Sequence, residues 1–527
     1  MITTSESYNE SILASARTNK FKATFGFIPP NIEENSTLSA SEQAPQSQLA
    51  QVKDGITEAP NHWEDLSYNS WVLDGNANIP ESIAEETGEY GFWSANQTNA
   101  DAVFDNPPYV LYQLDTAYSL IGMRVAFKDF PTSFTMQYLD NNGNVIAEKT
   151  ITEQAESHNV ELTGDNVWAI KFIMNSWILP YRRAKLLEIG AGLLFTFDNS
   201  NTISFDYQEA ITPFGNAFDS PQFEIEFDNS DRKFDMLNPS GLFSYLYKEM
   251  GITAELGVIL PNESTEYVPM GKFYIYEIPT NQQRETATLV CRPLISLYDN
   301  LMYPTDDKAP STISAVVAKI FEVAGSTETY TIDSTLADIE CNGYCGEDVK
   351  LSDAFAMIAT ACGGYWLVGR DGTYQLKPIQ TLIDAVTANA NVDYDNVTEK
   401  PDITANRITS VKISRNYFET YSSSEGYQDW TTVIEVYTTE VDDGGSIQIA
   451  CPFINTTQQA QVVAELALAY HNKFLEFSSK FRGNPALQVG DVVNLQTDYG
   501  NILSVVENLN VTYNNVDFLQ SELKGRG

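Results

Sequence analysis

Short runs in which apolar and polar residues alternate, spaced roughly ten residues apart, fill the chain from about Trp63 to Glu188. Residues two apart share one face of a strand, so such runs can bury one side of a sheet but cannot form a helical stripe. Six runs carry the pattern: Val110–Leu114, Gly122–Phe127, Ser133–Leu139, Val145–Ile151, His158–Leu162 and Val167–Met174. Asp140-Asn141-Asn142-Gly143 separates two of them, and residues that tolerate left-handed backbone mark a hairpin there. With no helical period between them, the runs predict an antiparallel sandwich or jelly roll.

The flanking sequence has a different texture. Phe21–Ile28 alternates until Pro29-Pro30 stops it. Asn31–Gln51 is rich in Ser, Gln and Glu and has little to bury. It is predicted as a loop or extended arm, either a linker or a segment that orders against a neighbouring subunit. After Leu193 strands return at Phe223–Phe227, Gly271–Tyr276 and Thr286–Val290, with turns at Asp228–Asp231 and Asn238–Gly241. Ile313, Val316, Val317, Ile320, Phe321 and Ala324 recur at helical spacing, with Ser311 as the expected cap and Gly325 as the stop. A second helix, Asp353–Cys362, ends at Gly363-Gly364. A hairpin then turns at Gly369–Gly372 between Tyr365–Val368 and Tyr374–Lys377. Beyond Pro401, strands such as Arg407–Ile413 and Thr432–Thr438 flank one helix from Thr457 to about Phe474. Leu487–Leu495 reads as a small-barrel strand pair.

These textures divide the 527 residues. Residues 1–60 form an N-terminal strand and polar arm belonging to a first β domain, whose remainder is 191–300. Residues 61–190 are an inserted jelly-roll sandwich. Residues 301–400 are an α/β domain, and 401–527 a second β domain with one long helix. The first strand is expected to pair with the region after Leu193. The expected fold class is mainly β with α+β elements: several β-barrel-like domains with an inserted antiparallel sandwich.

Charge excludes a class of partners. There are 31 Lys and Arg against 71 Asp and Glu, a net charge of −40. Binding to phosphate backbones needs clustered cations, and the densest basic run is Arg182-Arg183-Ala184-Lys185, so sequence-specific nucleic-acid binding is not expected. No run approaches the roughly 18 apolar residues of a membrane helix. The first residues lack the basic and apolar regions of a signal peptide, which predicts synthesis and folding in the cytoplasm.

Chemistry is sparse. Cys341-x-x-x-Cys345 has the look of half a metal site, yet no partner pair is near it, and His62, His158 and His471 have no ligand-like spacing. Neither metal nor cofactor is expected; Cys291, Cys341, Cys345, Cys362 and Cys451 read as scattered buried thiols in a reducing compartment. No Gly-x-Ser-x-Gly, His-Glu-x-x-His or phosphate-binding loop is present. His471 could activate a thiol only if folding brought the two together. Carboxylate pairs are inevitable among 71 acidic residues, so none is informative. The chain is expected to be no enzyme, with no catalytic residues.

Three stretches resemble, in order and spacing, the hub proteins of phage and phage-derived tail tips. They are Phe223–Asp231 through Asn238–Leu242; Val268–Ile275 followed by Ala287–Leu294; and Cys362–Trp366 leading into Asp371–Tyr374, with Asn484–Asp491 further on. The inserted segment, with Trp71–Gly75, Gly91–Ser94 and Phe104–Pro108, is similar to discoidin-like jelly rolls in hubs of phages of Gram-positive hosts. The resemblance covers about residues 20–527. It implies a virion structural subunit at the tail tip or baseplate, made in the host bacterial cytoplasm. It also implies a homotrimer of two related β domains per subunit, adapting a sixfold tube to a threefold tip. The implied partners are a distal tail ring protein, the end of the tape-measure protein and a tip, spike or fibre protein. Many such proteins continue into a hydrolase or a long fibre. This sequence ends at Gly527, which assigns host-wall cleavage to another protein. An acidic lumen wall is expected to let DNA slide past.

The alternative is a carbohydrate-binding adhesin acting through the jelly roll, with a host-surface glycan as partner. Sugar rings stack on exposed aromatics at loop ends and pair with polar side chains. The carbohydrate-binding candidates are Trp177, Tyr181, Arg182 and Arg183, after the last sandwich strand. Trp71, Trp93 and Trp168 sit inside apolar patterns and read as core.

Overall fold

The computed structural model describes residues 1–27, 32–33, 36–53, 62–63, 77–78, 90–215, 218–235, 237–238, 242, 250–281, 285–297, 300–304, 309–392, 401–422, 426–439, 444–514 and 518–527. The motifs Trp71–Gly75 and Pro239–Gly241 lie outside them. The described residues form two compact units: residues 1–24 with 196–527, and residues 25–195.

Fourteen described strands of the larger unit share one sheet. It runs from the edge strand Leu193–Asp198 through Asn19–Phe27, Gly251–Ile259, Thr265–Glu277, Thr286–Arg292, Gln222–Asp228 and Thr202–Ala210. It continues through Gly500–Asn514, Phe518–Arg526 and Leu475–Phe481 to Asp402–Ala405. The first long strand therefore lies beside the segment after Leu193, and residues 25–195 are an insertion between two neighbouring strands. Thr202–Ala210 pairs on one side with Gln222–Asp228, Phe205 opposite Ile225, and on the other with Gly500–Asn514, Tyr207 opposite Val511. The stretches expected as separate β-barrel-like domains are thus two halves of one open sheet, and no closed barrel forms among the described residues. A row of aromatics lines this seam: Phe21 lies 4.9 Å from Phe205, and Phe223 lies 4.8 Å from Phe273. Leu487–Asp491 does not pair as a strand; the strand there is Val492–Thr497.

The α/β part forms where helical spacing predicts it. The helix Ile313–Ala324 buries Ile313, Val316, Val317, Ile320 and Phe321, and Gly325 closes it at φ 60°. Its cap is Thr312 rather than Ser311, because the Thr312 hydroxyl accepts from Ala315 N at 3.3 Å while Ser311 lies in a strand opposite Cys341. The second helix, Leu351–Ala361, ends before Gly363 at φ 65° and stacks Phe355 on Trp366, whose rings are 4.0 Å apart. A separate three-stranded sheet, Gly426–Thr438, Ile408–Ser422 and Gly445–Cys451, rests one face on the helix Thr457–His471.

The smaller unit is a seven-stranded antiparallel sandwich with one aromatic core, including Phe127, Phe134, Tyr138 and Trp177. Asp140 Oδ1 accepts from Asn142 N and Asn144 N, both at 2.8 Å, and Gly143 adopts φ 79°, so the predicted hairpin turn forms. Two pairs of expected strands are in fact single strands, Tyr109–Phe127 and Ser157–Trp177. The polar residues between them mark bends, where register shifts between Gln113 and Gly122 let each strand turn without ending. The arm Asn31–Gln51 is likewise no linker over its described length. Ser36–Ala40 pairs with Tyr109–Phe127, Leu38 opposite Tyr112, and Lys53 Nζ donates to Glu33 O at 3.0 Å and Ser36 O at 2.7 Å. Leu38 and Ala40 on its inner face pack against the core, so both side-chain burial and a backbone ladder hold this strand.

Candidate functional site

The hairpin turn Gly369–Gly372 is built locally: Gly369 N donates to Thr373 O at 2.9 Å, Asp371 Oδ1 accepts from Thr373 N at 2.9 Å, and Gly372 takes φ 85°. This aims Arg370 into the seam of the large sheet. Its Nη1 donates to Met270 O at 2.7 Å, and its Nη2 donates to Leu487 O at 3.1 Å and Glu209 Oε1 at 3.2 Å. The guanidinium also lies over the Tyr207 ring, 4.6 Å from its centre. Tyr207 donates to Glu209 Oε2 at 2.7 Å and Val489 N to Glu209 Oε1 at 3.1 Å. Burial pushes the Glu209 carboxyl up, opposed by the charge of Arg370 and by these hydrogen bonds. One cation therefore ties together the α/β hairpin and both halves of the sheet. A second cluster, Arg526 with Glu507 at 3.3 Å and Glu476 at 2.8 Å, links the last strand to its neighbours.

All five cysteines are buried and unbridged. Burial pushes Cys341, Cys345 and Cys451 up to about 12, and Cys291 and Cys362 up as well. Burial, with help from Arg526, lowers His471 to about 4. A protonated thiol and a poorly basic imidazole are the reverse of an activated pair. Among the described residues no group of three His, Cys, Asp or Glu side chains could hold a metal ion, and no helix is long and apolar enough to cross a membrane.

At one end of the sandwich, the loops 98–108 and 178–182 come together. Tyr181 N donates to Thr98 O at 3.1 Å, Thr98 Oγ1 to Leu179 O at 3.0 Å, and Trp177 N to Ala102 O at 2.9 Å. Of the four residues expected to bind sugar, only Tyr181 presents its side chain outward, 43% exposed. Its φ of 58° is a left-handed conformation that a tyrosine rarely adopts, and Ala102 opposite has φ 61°. Trp177 is a correction: it is fully buried, edge-on to Phe127 at 5.8 Å, because it ends a core strand rather than starting the loop. Arg182 is buried too, and Arg183 is half-buried, its Nη1 donating to Ser94 O at 2.9 Å. Sequence reasoning missed Val103, Ile178 and Leu179, large apolar residues exposed on the same two loops as Tyr181. The signal was Ile178-Leu179-Pro180, where two large apolar residues follow a strand and precede a proline. Trp93 is core as expected, Trp168 is half-buried, and Trp71 lies outside the described residues.

This patch sits at the end of the sandwich away from its own chain ends. The strand Arg183–Ala191 starts at the patch and finishes beside Met123, where Gly192 N donates to Gly122 O at 3.1 Å. The chain enters and leaves nearby, with Phe25 stacked 5.3 Å from Phe195.

No protein-family model matches the chain, and no curated protein matches it. Among solved structures, the chain is similar to a tail protein from Neisseria meningitidis at 11% identity, covering 63% of this chain and 94% of that one, with a TM-score of 0.42. It is similar to an E. coli component of the type VI secretion system at 10% identity, covering 62% and 73%, with a TM-score of 0.34. The lectin binding domain of lectinolysin matches at 11% identity, covering 31% of this chain and 96% of that one, with a TM-score of 0.22. The matched structures are thus a tail protein, a component of the type VI secretion system and a lectin binding domain, each at 11% identity or less.

Proposed function

We propose that this chain is a structural, non-catalytic hub subunit of a phage-type tail tip. In this reading it closes the tail tube, adapts a sixfold tail to a threefold tip as a homotrimer, and seats a tip, spike or fibre protein. The observation that carries the reading is the seam strand Thr202–Ala210, which joins sheet halves drawn from distant parts of the chain into one continuous wall locked by Arg370. A wall of this kind suits a load-bearing ring better than a cleft for chemistry. The motifs Phe223–Asp231, Val268–Ile275 and Asp371–Tyr374 fall on this wall and its locking hairpin, which supports the same reading. The distal tail ring and the end of the tape-measure protein are the proposed neighbours, and an acidic lumen that repels DNA is proposed from the net charge of −40.

The test is the solution mass by light scattering over a range of concentrations, with and without tail-ring protein, followed by electron microscopy of the joined particles. A trimer, alone or on the ring, is the expected result. A single copy under every condition that never seats on the ring would overturn the reading.

A second reading is glycan binding at the sandwich end, favoured by the exposed, left-handed Tyr181 on loops that also expose Val103, Ile178 and Leu179. Binding of a glycan array by the wild type, lost in Tyr181→Ala, is the expected result. Equal binding by both proteins, or none by the wild type, removes it.

A further inference from the structure

The three-stranded sheet of the larger unit buries one face and leaves the other open. Inward, Arg415 Nε donates to Glu435 Oε1 at 2.9 Å, and Arg415 Nη2 donates to Thr457 Oγ1 at 2.8 Å on the helix beneath. Outward, Ile434 is 62% and Val436 56% exposed, although both are large apolar residues in the middle of a strand. Opposite them on the next strand stand Ser414 and Lys412, and Gln448 lies beyond Lys412.

Two further features single out this surface. Gly426–Thr438 is an edge strand, and among the described residues its outer backbone pairs with nothing. Natural edges of this length are guarded by proline, bulges or outward charge. Register shifts lie only at the strand's start, opposite Glu419–Ser422; beyond them Thr431–Thr438 has no proline, and its one acidic residue, Glu435, is turned inward. Secondly, the described residues of the outward central ladder carry no carboxylate and one lysine, in a chain with 71 acidic residues.

We infer that this open face and edge are where a second copy of the same chain docks. Charge selects the occupant. A basic partner would be drawn to the carboxylate-rich surface that the rest of the chain offers. A copy that also carries −40 can approach only where carboxylates do not meet. The apolar pair Ile434 and Val436 then supplies burial, and the edge supplies backbone pairing. Three strands make a small face, and stable interfaces bury about 1,200–2,000 Å² in total. The association is therefore concentration-dependent and strengthens with salt, which screens the repulsion between copies.

This inference deepens the multi-copy reading above by naming its surface. Light scattering is run at low and high salt on the wild type, on Ile434→Glu with Val436→Glu, and on Val145→Glu, an exposed sandwich position, as control. The expected result is a multi-copy wild type and control whose mass rises with salt, and a face variant at the mass of one copy with unchanged circular dichroism. If the face variant loses its fold, Thr432→Glu with Gln448→Glu, both at exposed polar positions, is expected to give the same single-copy mass. A folded face variant that keeps the wild-type mass, or a wild type whose mass falls with salt, overturns the inference. Electron microscopy separates the two proposals: a wild type that seats on tail rings beside a face variant of unaltered mass leaves the hub standing and removes only this surface.

Discussion

Arg370 Nη2 lies 3.2 Å from Glu209 Oε1, and both side chains are only 3% exposed. The pair joins a hairpin turn to the strand that fuses the two halves of the sheet, so its cost and benefit are those of a buried ion pair. Removing one partner strands a charge away from water and typically costs about 3–5 kcal/mol, whereas replacing both with apolar groups is often near neutral. Arg370→Ala and Glu209→Ala are each expected to lower stability to urea by that amount. Arg370→Met with Glu209→Met should lose less than either single change. Arg370→Lys should not restore the wild type, because an ammonium lacks the planar fork that reaches the Met270 and Leu487 carbonyls together with a carboxylate. Urea midpoints of the five proteins check the ordering.

Trp177 and Tyr181 are four residues apart and should behave oppositely. Trp177→Ala empties a fully buried site beside Phe127 and is expected to cost about 3–5 kcal/mol. Tyr181→Ala removes a ring that is 43% exposed, so a smaller loss, below about 1.5 kcal/mol, is expected. Thermal unfolding of the two variants measures the contrast.

Thr312 and Ser311 make a sharper local test. Thr312→Ala removes the hydroxyl that accepts from Ala315 N and should cost about 1 kcal/mol. Ser311→Ala makes no such loss and should be close to wild type. The reverse order would move the helix start by one residue.

His471 predicts an acid limb of stability. Its folded value is about 4 against an ordinary 6.5, mainly through burial. Between these values the unfolded chain binds more protons than the folded one, so stability rises with pH across that window. The contribution is fully present above 6.5 and is lost as pH falls towards 4. His471→Gln should flatten that part of the pH profile, measured as urea midpoints; a slope equal to that of the wild type would count against it.

The interior of the fold was legible where one segment's own pattern decides its structure. The alternation in Phe223–Phe227, the helical spacing from Ile313 to Ala324, and the turns at Asp140–Gly143 and Gly369–Gly372 all determine local geometry through burial period or backbone freedom. The sandwich-like texture from Trp63 to Glu188 lies within the smaller unit, but residues 25–60, read as part of the first β domain, fall in that unit too.

Tertiary structure decided what depends on partners far away in sequence. Whether two β stretches close separately or share a sheet rests on the pairing of Thr202–Ala210 with Gly500–Asn514, and strand pattern alone does not name a partner. Ser36–Ala40 became a strand because a distant partner, Tyr109–Phe127, supplies its ladder and a core for Leu38 and Ala40 to pack against. Trp177 and Tyr181 look alike in sequence as aromatics near a loop. Only the register of Ser157–Trp177 turned the first into the core, and only a left-handed backbone turned the second to solvent. Arg370, a lone basic residue in a turn, gave no sign in sequence of the buried carboxylate 161 positions away that holds it.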